Sequence, residues 1–468
     1  MTITNLGTAQ IQEKDRNYVF HPSTHLAKHS RGETPNRVMA GADGVYIWDT
    51  EGRKSLDGFG GLYCVNMGYG CSEIADAIAK QAHELPFAHV YASQSTETVT
   101  LLAETVVEYF GENMRRVFFG LSGSDANETN IKLVWYYNNI LGRPAKKKII
   151  SRQRGYHGSG LVTGSLTGLA FFHNHFDLPL EIVRHTTTPH WYRQAQEGET
   201  EEAFSKRCAR ELEALILAEG PDTVGAFIGE PVLGTGGIVP PPKGYWTEIQ
   251  AVLDKYDVLL IADEVVCGFG RTGEKFGSHL YGMRPDLVTI AKGLSSAYLP
   301  ISGSIIGDRV WSVLEQGSEK YGPIGHGWTY SGHTLCAAAA LANIRVLKER
   351  NILEHVREVG PYWLKQMKAK LEGHPMVGEI RGVGILAAVE FMSDPAKRIP
   401  FDPGLQVGVR AAAALLENGV IARAMPHADT LGYAPPLILT KAEADIIVDA
   451  TARAVDTTYK TLASEGAV

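Results

Sequence analysis

Asp286-Leu-Val-Thr-Ile-Ala-Lys292-Gly-Leu-Ser-Ser296 sets four apolar or β-branched residues, Leu287 to Ile290, just ahead of a lysine. Such a run reads as a strand buried on both faces, with the ammonium group delivered at its end. A lysine held against an apolar sheet edge loses hydration, which favours its neutral amine and lets it attack a carbonyl to form a Schiff base. Upstream, Asp257-Val-Leu-Leu-Ile-Ala-Asp263-Glu264-Val265 repeats the pattern, with residues 258 to 262 apolar and a carboxylate at the end. Open α/β sheets bind ligands outside the carboxyl ends of their strands. A strand ending in an acid, followed by a strand ending in lysine, suits a pyridoxal phosphate (PLP) site. There the carboxylate keeps the pyridine nitrogen protonated and the ring accepts electrons. Taken singly, Lys292 reads as a solvated loop lysine and Asp263 as a helix cap; the pair carries the argument.

The rest of the composition narrows the class. The chain has 468 residues, long enough for two domains and a substantial core, with 44% hydrophobic and 21% charged residues. A net charge of −7 gives no electrostatic footprint for nucleic acid. No apolar run approaches the ~18 residues of a membrane span, and Met1 to Arg16 lacks an apolar signal core. The five cysteines (Cys64, Cys71, Cys208, Cys267, Cys336) are scattered and odd in number. That pattern argues against a disulfide framework or a metal site and fits a reducing, cytoplasmic setting.

Along the chain, the first forty residues read as irregular. Tyr46 to Asp49 and Gly52 to Asp57 read as a hairpin turning near Glu51-Gly52. From about Ser72 helical and strand patterns alternate. The strand candidates are Val117 to Gly120, Lys148 to Ser151, Ala226 to Gly229, Val258 to Ala262, Leu287 to Ile290 and Ser302 to Ile306. Helical patterns such as Glu211 to Ala218 and Tyr245 to Lys255 lie between them. Repeated βα units predict a mostly parallel sheet flanked by helices. An alanine-rich helix, Ala337 to Glu349, leads toward a smaller, helix-rich part with strands near Gly382 to Phe391. The expected division is an N-terminal segment 1–75 packing with the small domain, a large PLP-binding domain 76–336 and a C-terminal small domain 337–468.

Ser122-Gly123-Ser124 follows the first of these strands and precedes a helix expected from about Asp125 to Ile140. The free N–H groups and dipole of a helix N-terminus can hold phosphate. Ser122 and Asp125 equally fit a plain capping box. Gly268-Phe-Gly270-Arg-Thr-Gly273 matches a dinucleotide fingerprint. It does not open a helix directly after a strand, and Asp286 comes too early to serve the ribose, so it reads as a loop.

The run Asp263-Glu-Val-Val-Cys-Gly-Phe-Gly-Arg-Thr-Gly273 together with Pro285-Asp-Leu-Val-Thr-Ile-Ala-Lys292-Gly resembles the class III (omega) aminotransferases, and most of all their amine:pyruvate branch. The likeness runs from about Asp43 to about Lys441. It implies fold type I of the PLP-dependent transferases, an α/β large domain plus a smaller α+β domain. It also implies a homodimer with shared active sites, either alone or as a dimer of dimers. By that likeness Lys292 and Asp263 are catalytic. Ser122, Gly123 and Ser124 hold the cofactor phosphate, although the family usually has glutamate where this chain has Asp125. Tyr156, in Gly155-Tyr156-His157-Gly158, stacks on the ring and Val265 covers the other face, while His157 reads as a structural residue of the turn. Thr329, in Gly327-Trp-Thr329-Tyr-Ser-Gly-His333, reaches the partner subunit's phosphate; Thr334 stands where the family often has proline. Arg423 matches the arginine that binds substrate carboxylate and swings aside for plain amines. Tyr63, Tyr91, Tyr156 and Thr235 are expected to line a hydroxyl-rich substrate pocket, with Tyr63 where many relatives carry tryptophan.

The resemblance implies transfer of an amino group from an amine or ω-amino acid to a keto acid, with pyruvate the expected acceptor. The same lysine and acid also serve PLP aminomutases and decarboxylases, or a non-catalytic PLP-binding protein. A DNA-binding regulator would need a basic extension that this chain lacks.

Overall fold

The computed structural model describes residues 6–111, 113–427 and 429–468. Its centre is a seven-stranded sheet built from β4 (Met114–Gly120), β5 (Lys148–Arg152), β6 (Val183–Thr186), β7 (Val224–Gly229), β8 (Leu259–Asp263), β9 (Leu287–Ile290) and β10 (Ser302–Gly307). The spatial order is β4-β10-β9-β8-β7-β5-β6. β10 is antiparallel to both neighbours, and β9, β8, β7, β5 and β6 are parallel in succession.

Alternation along the strands explains why these runs are apolar throughout. Ala226, Ile228, Leu259, Ile261 and Leu287 pack on one side with Ile131, Val134 and Tyr137 of the helix Gly123–Ile140. Phe227, Leu260, Ala262, Val288 and Ile290 face the other side, where Trp246, Ile249 and Leu253 of the helix Tyr245–Lys255 lie. Both pleat faces are buried, so a polar alternation has no place.

The hairpin is present as β2 (Tyr46–Asp49) and β3 (Lys54–Asp57), joined by a further strand β1 (Met39–Asp43). A second small sheet contains β11 (Val377–Val383) and β12 (Leu386–Phe391). Between Val420 and Tyr433 come β13 (Val420–Ile421), β14 (Arg423–Ala424) and β15 (Thr430–Tyr433). β13 pairs parallel with β3, Val420 against Leu56, so the early hairpin sheet is completed by the C-terminal part. β14 and β15 instead extend the β11-β12 sheet.

Three expectations need correction. The first forty residues hold helices Thr8–Tyr18 and Leu26–Ser30. The former buries no residue, so it has no apolar stripe to betray it. β6 was not expected, because Val-Arg-His-Thr carries three polar residues on a sheet edge. The helix after Ser122 begins at Gly123 rather than Asp125.

Candidate active site

Five strands of the central sheet end at one cavity of about 940 Å³. β4 leads to Ser122, Gly123 and Ser124; β5 to Tyr156 and His157; β7 to Glu230; β8 to Asp263; β9 to Lys292, and all of these line the cavity. Ligand sites of doubly wound sheets sit at such carboxyl ends.

Asp263 is 3% exposed and held on several sides. Its Oδ2 accepts from Asn127 Nδ2 at 2.8 Å and lies 2.8 Å from His157 Nδ1. Oδ1 accepts the Val265 N–H at 3.2 Å. A carboxylate only accepts, so His157 carries its proton on Nδ1. Asn127 also donates to His157 O at 2.9 Å and accepts from Thr289 Oγ1 at 2.5 Å, which fixes its amide orientation. His157 is therefore more than a turn residue. It orients the key carboxylate from 106 residues away in sequence, a pairing that no local pattern marks. Asn127 and Glu230 are further lining residues that the sequence reading missed.

Lys292 sits in the left-handed backbone region, φ +45°, a conformation that costs a non-glycine residue about 1–3 kcal/mol and concentrates at functional sites. Burial draws its pKa below the usual lysine range, while Asp263 opposes that shift. Its Nζ lies 5.3 Å from the centroid of the Tyr63 ring. Tyr63 has φ +67°, is 1% exposed and packs against Phe59 with ring centroids 4.4 Å apart.

At the helix N-terminus both sequence readings coexist. Ser122 Oγ caps Asp125 N at 3.2 Å, and the Asp125 carboxylate returns bonds to the Ser122 and Leu121 N–H groups. Ser302 Oγ also donates to Asp125 Oδ1 at 2.8 Å, so this aspartate completes the corner. A Cβ on Gly123 would come within 3.0 Å of Val265, so glycine keeps this wall open. Ser124 Oγ accepts the Ser159 N–H at 3.2 Å.

Tyr156 has its N–H bonded to Glu230 Oε1 at 3.0 Å and its ring edge-on to Phe172. Burial raises the pKa of Glu230. Thr235, Val265 and Arg423 all line the cavity. Arg423 forms no ion pair among the described residues, and its guanidinium lies 5.8 Å from the Phe59 ring centroid. Tyr91 and Thr329 do not line the cavity of their own chain. This corrects the expectation for Tyr91 within one protomer. Its ring lies against the Gly327 backbone, and it is 45% exposed. Thr329 is exposed in the same region. Thr334 Oγ1 donates to Leu85 O and Pro86 O, at 2.9 and 2.7 Å, and so fixes the start of the alanine-rich helix against that loop.

A poised lysine, a fixed buried carboxylate with one oxygen not engaged by His157 or Asn127, and a glycine-opened helix N-terminus fit PLP. They match its aldehyde, ring nitrogen and phosphate in turn. The fold and site define a PLP-dependent transferase of fold type I. The chain matches the Aminotransferase class-III family over residues 28–455 and belongs to it. It is 60% identical to the diaminobutyrate–2-oxoglutarate transaminase of Halomonas elongata, over 97% of this chain and 98% of that one. It is 45% identical to the mitochondrial gamma aminobutyrate transaminase 1 of Solanum lycopersicum, over 90% and 82%. Among solved structures, the omega transaminase of Pseudomonas jessenii in complex with PMP superposes with a TM-score of 0.94. It is 42% identical, covering 97% of this chain and 99% of that one. The protein is a PLP-dependent class III transaminase.

Proposed function

We propose that the enzyme moves an amino group from an amine or ω-amino acid to a monocarboxylic keto acid, with pyruvate as the acceptor. The observation that carries this is the charge inventory of the cavity wall. Its charged residues are Glu230, Asp263, Lys292 and Arg423. Asp263 serves the ring nitrogen and Lys292 the aldehyde carbon, which leaves Arg423 as the cation for a substrate carboxylate. A dicarboxylate such as 2-oxoglutarate needs a second cation. The named relatives act on diaminobutyrate or γ-aminobutyrate, and such ω-amino acids, with one carboxylate remote from the reacting amine, belong to the proposed donors.

PLP, when bound, supplies an electron sink and carries the amino group between the two substrates. Lys292 would hold it covalently through Nζ. The same Nζ, when not bonded to the cofactor, would be the base that moves a proton from the donor carbon to the carbon of the cofactor's former aldehyde, and the pKa lowered by burial favours the neutral amine this needs. Asp263 Oδ1 holds the proton of the ring nitrogen, and the bonds from Asn127, His157 and Val265 keep the carboxylate oriented for it. Tyr156 and Val265 bound the two ring faces. Ser122, Gly123 and Ser124 hold the phosphate, joined by Thr329 of a second copy in a homodimer. Tyr63, Tyr156 and Thr235 form the substrate wall, and Tyr91 contributes from the dimer surface. The division into 1–75, 76–336 and 337–468 belongs to the same reading and is supported by the pairing of β3 with β13.

The test is a direct comparison of kcat/KM for pyruvate and 2-oxoglutarate with one ω-amino acid donor. A preference for pyruvate is expected, and a preference for 2-oxoglutarate overturns the acceptor assignment.

A further inference from the structure

We infer that His326 and Thr129 are positioning residues through which each chain's phosphate-end helix anchors the segment that the chain sends to its partner. The inference rests on the shared-site reading above.

The anchor is a directional chain of hydrogen bonds. Lys132 Nζ lies 2.9 Å from His326 Nδ1, and an ammonium only donates, so Nδ1 accepts and the imidazole proton sits on Nε2. His326 Nε2–H then donates to Thr129 Oγ1 at 2.9 Å. Thr129 Oγ1 donates in turn to Asp125 O at 2.8 Å, and Trp328 Nε1–H adds a second, longer bond to Oγ1 at 3.3 Å. A hydroxyl has one proton and two lone pairs, and all three are used here. Phe118 of β4 stacks on the His326 ring with centroids 5.0 Å apart.

This chain joins two places with different destinations. Thr129 is completely buried in the helix Gly123–Ile140, about two turns from the Gly123–Ser124 end that lines its own cavity. His326 and Trp328 flank Gly327 and lead directly to the exposed Thr329. The turn beyond is closed by Ser331, whose N–H donates to Trp328 O at 3.1 Å and whose Oγ accepts from Trp328 N at 3.2 Å. Thr129 and Lys132 therefore tie the helix of one site to the segment offered to the other, with Thr129 the buried member. Loss of the anchor frees Thr329, and the loss is felt at the partner subunit's cofactor rather than at the chain's own.

Mixed dimers of two differently tagged chains test this. One chain carries Lys292→Ala, so borohydride fixes cofactor only on the chain that keeps its lysine. Intact mass then reads the fixed fraction against free PLP. With His326→Phe on the Lys292→Ala chain, across the interface from the reporting site, half-saturation should move roughly five- to tenfold higher, the worth of about one hydrogen bond. The same substitution on the reporting chain should leave half-saturation near wild type. Thr329→Val on the Lys292→Ala chain is the control; no shift there removes the shared-site reading itself. A shift with Thr329→Val, but none with His326→Phe or an equal one in both placements, overturns the anchor and leaves the shared site standing. Thr129→Val, nearly isosteric, repeats both placements should His326→Phe fail to fold.

Discussion

His157 Nδ1 lies 2.8 Å from Asp263 Oδ2, and both residues are sealed from solvent at 2% and 3% exposure. The two sit on different strand ends, β5 and β8, so the pair exists only because β7 brings them across the sheet. A buried carboxylate free to rotate would present its charge to the ring nitrogen only part of the time. One held on Oδ2 by an imidazole and an amide presents Oδ1 continuously. His157→Leu removes one charge-assisted bond worth about 1.5–3 kcal/mol. The expected loss in kcat is roughly ten- to a hundredfold, with cofactor still bound. Steady-state rates on the cofactor-saturated variant check this, and an unchanged kcat means that Asn127 and Val265 suffice.

What the sequence disclosed follows from where its information is local. β8 and β9, each an apolar run ending in a charged residue, are legible because burial on both pleat faces leaves no polar alternation, and the helix Tyr245–Lys255 shows its own period. The helix Thr8–Tyr18 and edge strand β6 make few apolar demands on their residues, so nothing in their pattern marks them. Within the site, Lys292 and Asp263 are strand-end residues and visible as such. Asn127 and His157 act on Asp263 from far away in sequence, and no spacing rule reaches that distance. Tyr91 shows a related limit: residue type suggested a pocket wall, but its position over Gly327 sets it outside the cavity of its own chain.

Tyr63 offers a measure of pocket size. Its ring packs on Phe59 at 4.4 Å and its hydroxyl lies 3.9 Å from Met425 Sδ, so the far side of the ring is already filled. The added bulk of Tyr63→Trp can extend only toward the cavity. Overpacking of this kind costs about 1–3 kcal/mol where the space is needed. Donors with an aryl group should lose roughly tenfold or more in kcat/KM, while a slender ω-amino acid keeps most of its rate. Equal losses for both donors would place the effect on the fold rather than on the pocket.

Arg423 makes a sharper distinction between substrates. Its guanidinium rests near the Phe59 ring and has no carboxylate partner among the described residues. Arg423→Met keeps much of the stem volume and deletes the charge. KM for the keto acid should rise roughly ten- to a hundredfold, the worth of a charge-assisted pair, and the rate with a carboxylate-free amine donor should hold in the first half-reaction. Single-turnover kinetics, donor and acceptor measured separately, resolve the two. An unaltered acceptor KM would refute the assigned role.

Lys292 also leaves a signature in stability that needs no turnover. In the cofactor-free protein its folded pKa lies below the reference value of 10.5, because burial disfavours the ammonium more than Asp263 supports it. Between the lowered folded value and 10.5 the unfolded chain binds more protons at this site than the folded chain does. Stability contributed by this residue therefore rises with pH across that window, by at most about 1.4 kcal/mol per pH unit. Lys292→Met has no such proton to lose. The difference in unfolding free energy between the two cofactor-free proteins should favour the variant at the acid end of the window. It should shrink steadily as pH climbs, with the other titrating groups cancelling in the comparison. Denaturant unfolding at a series of pH values reads that difference. A difference that stays flat through the window would mean the Lys292 ammonium is as well solvated in the fold as in the open chain, and the lysine would then lack the poised amine on which the chemistry depends.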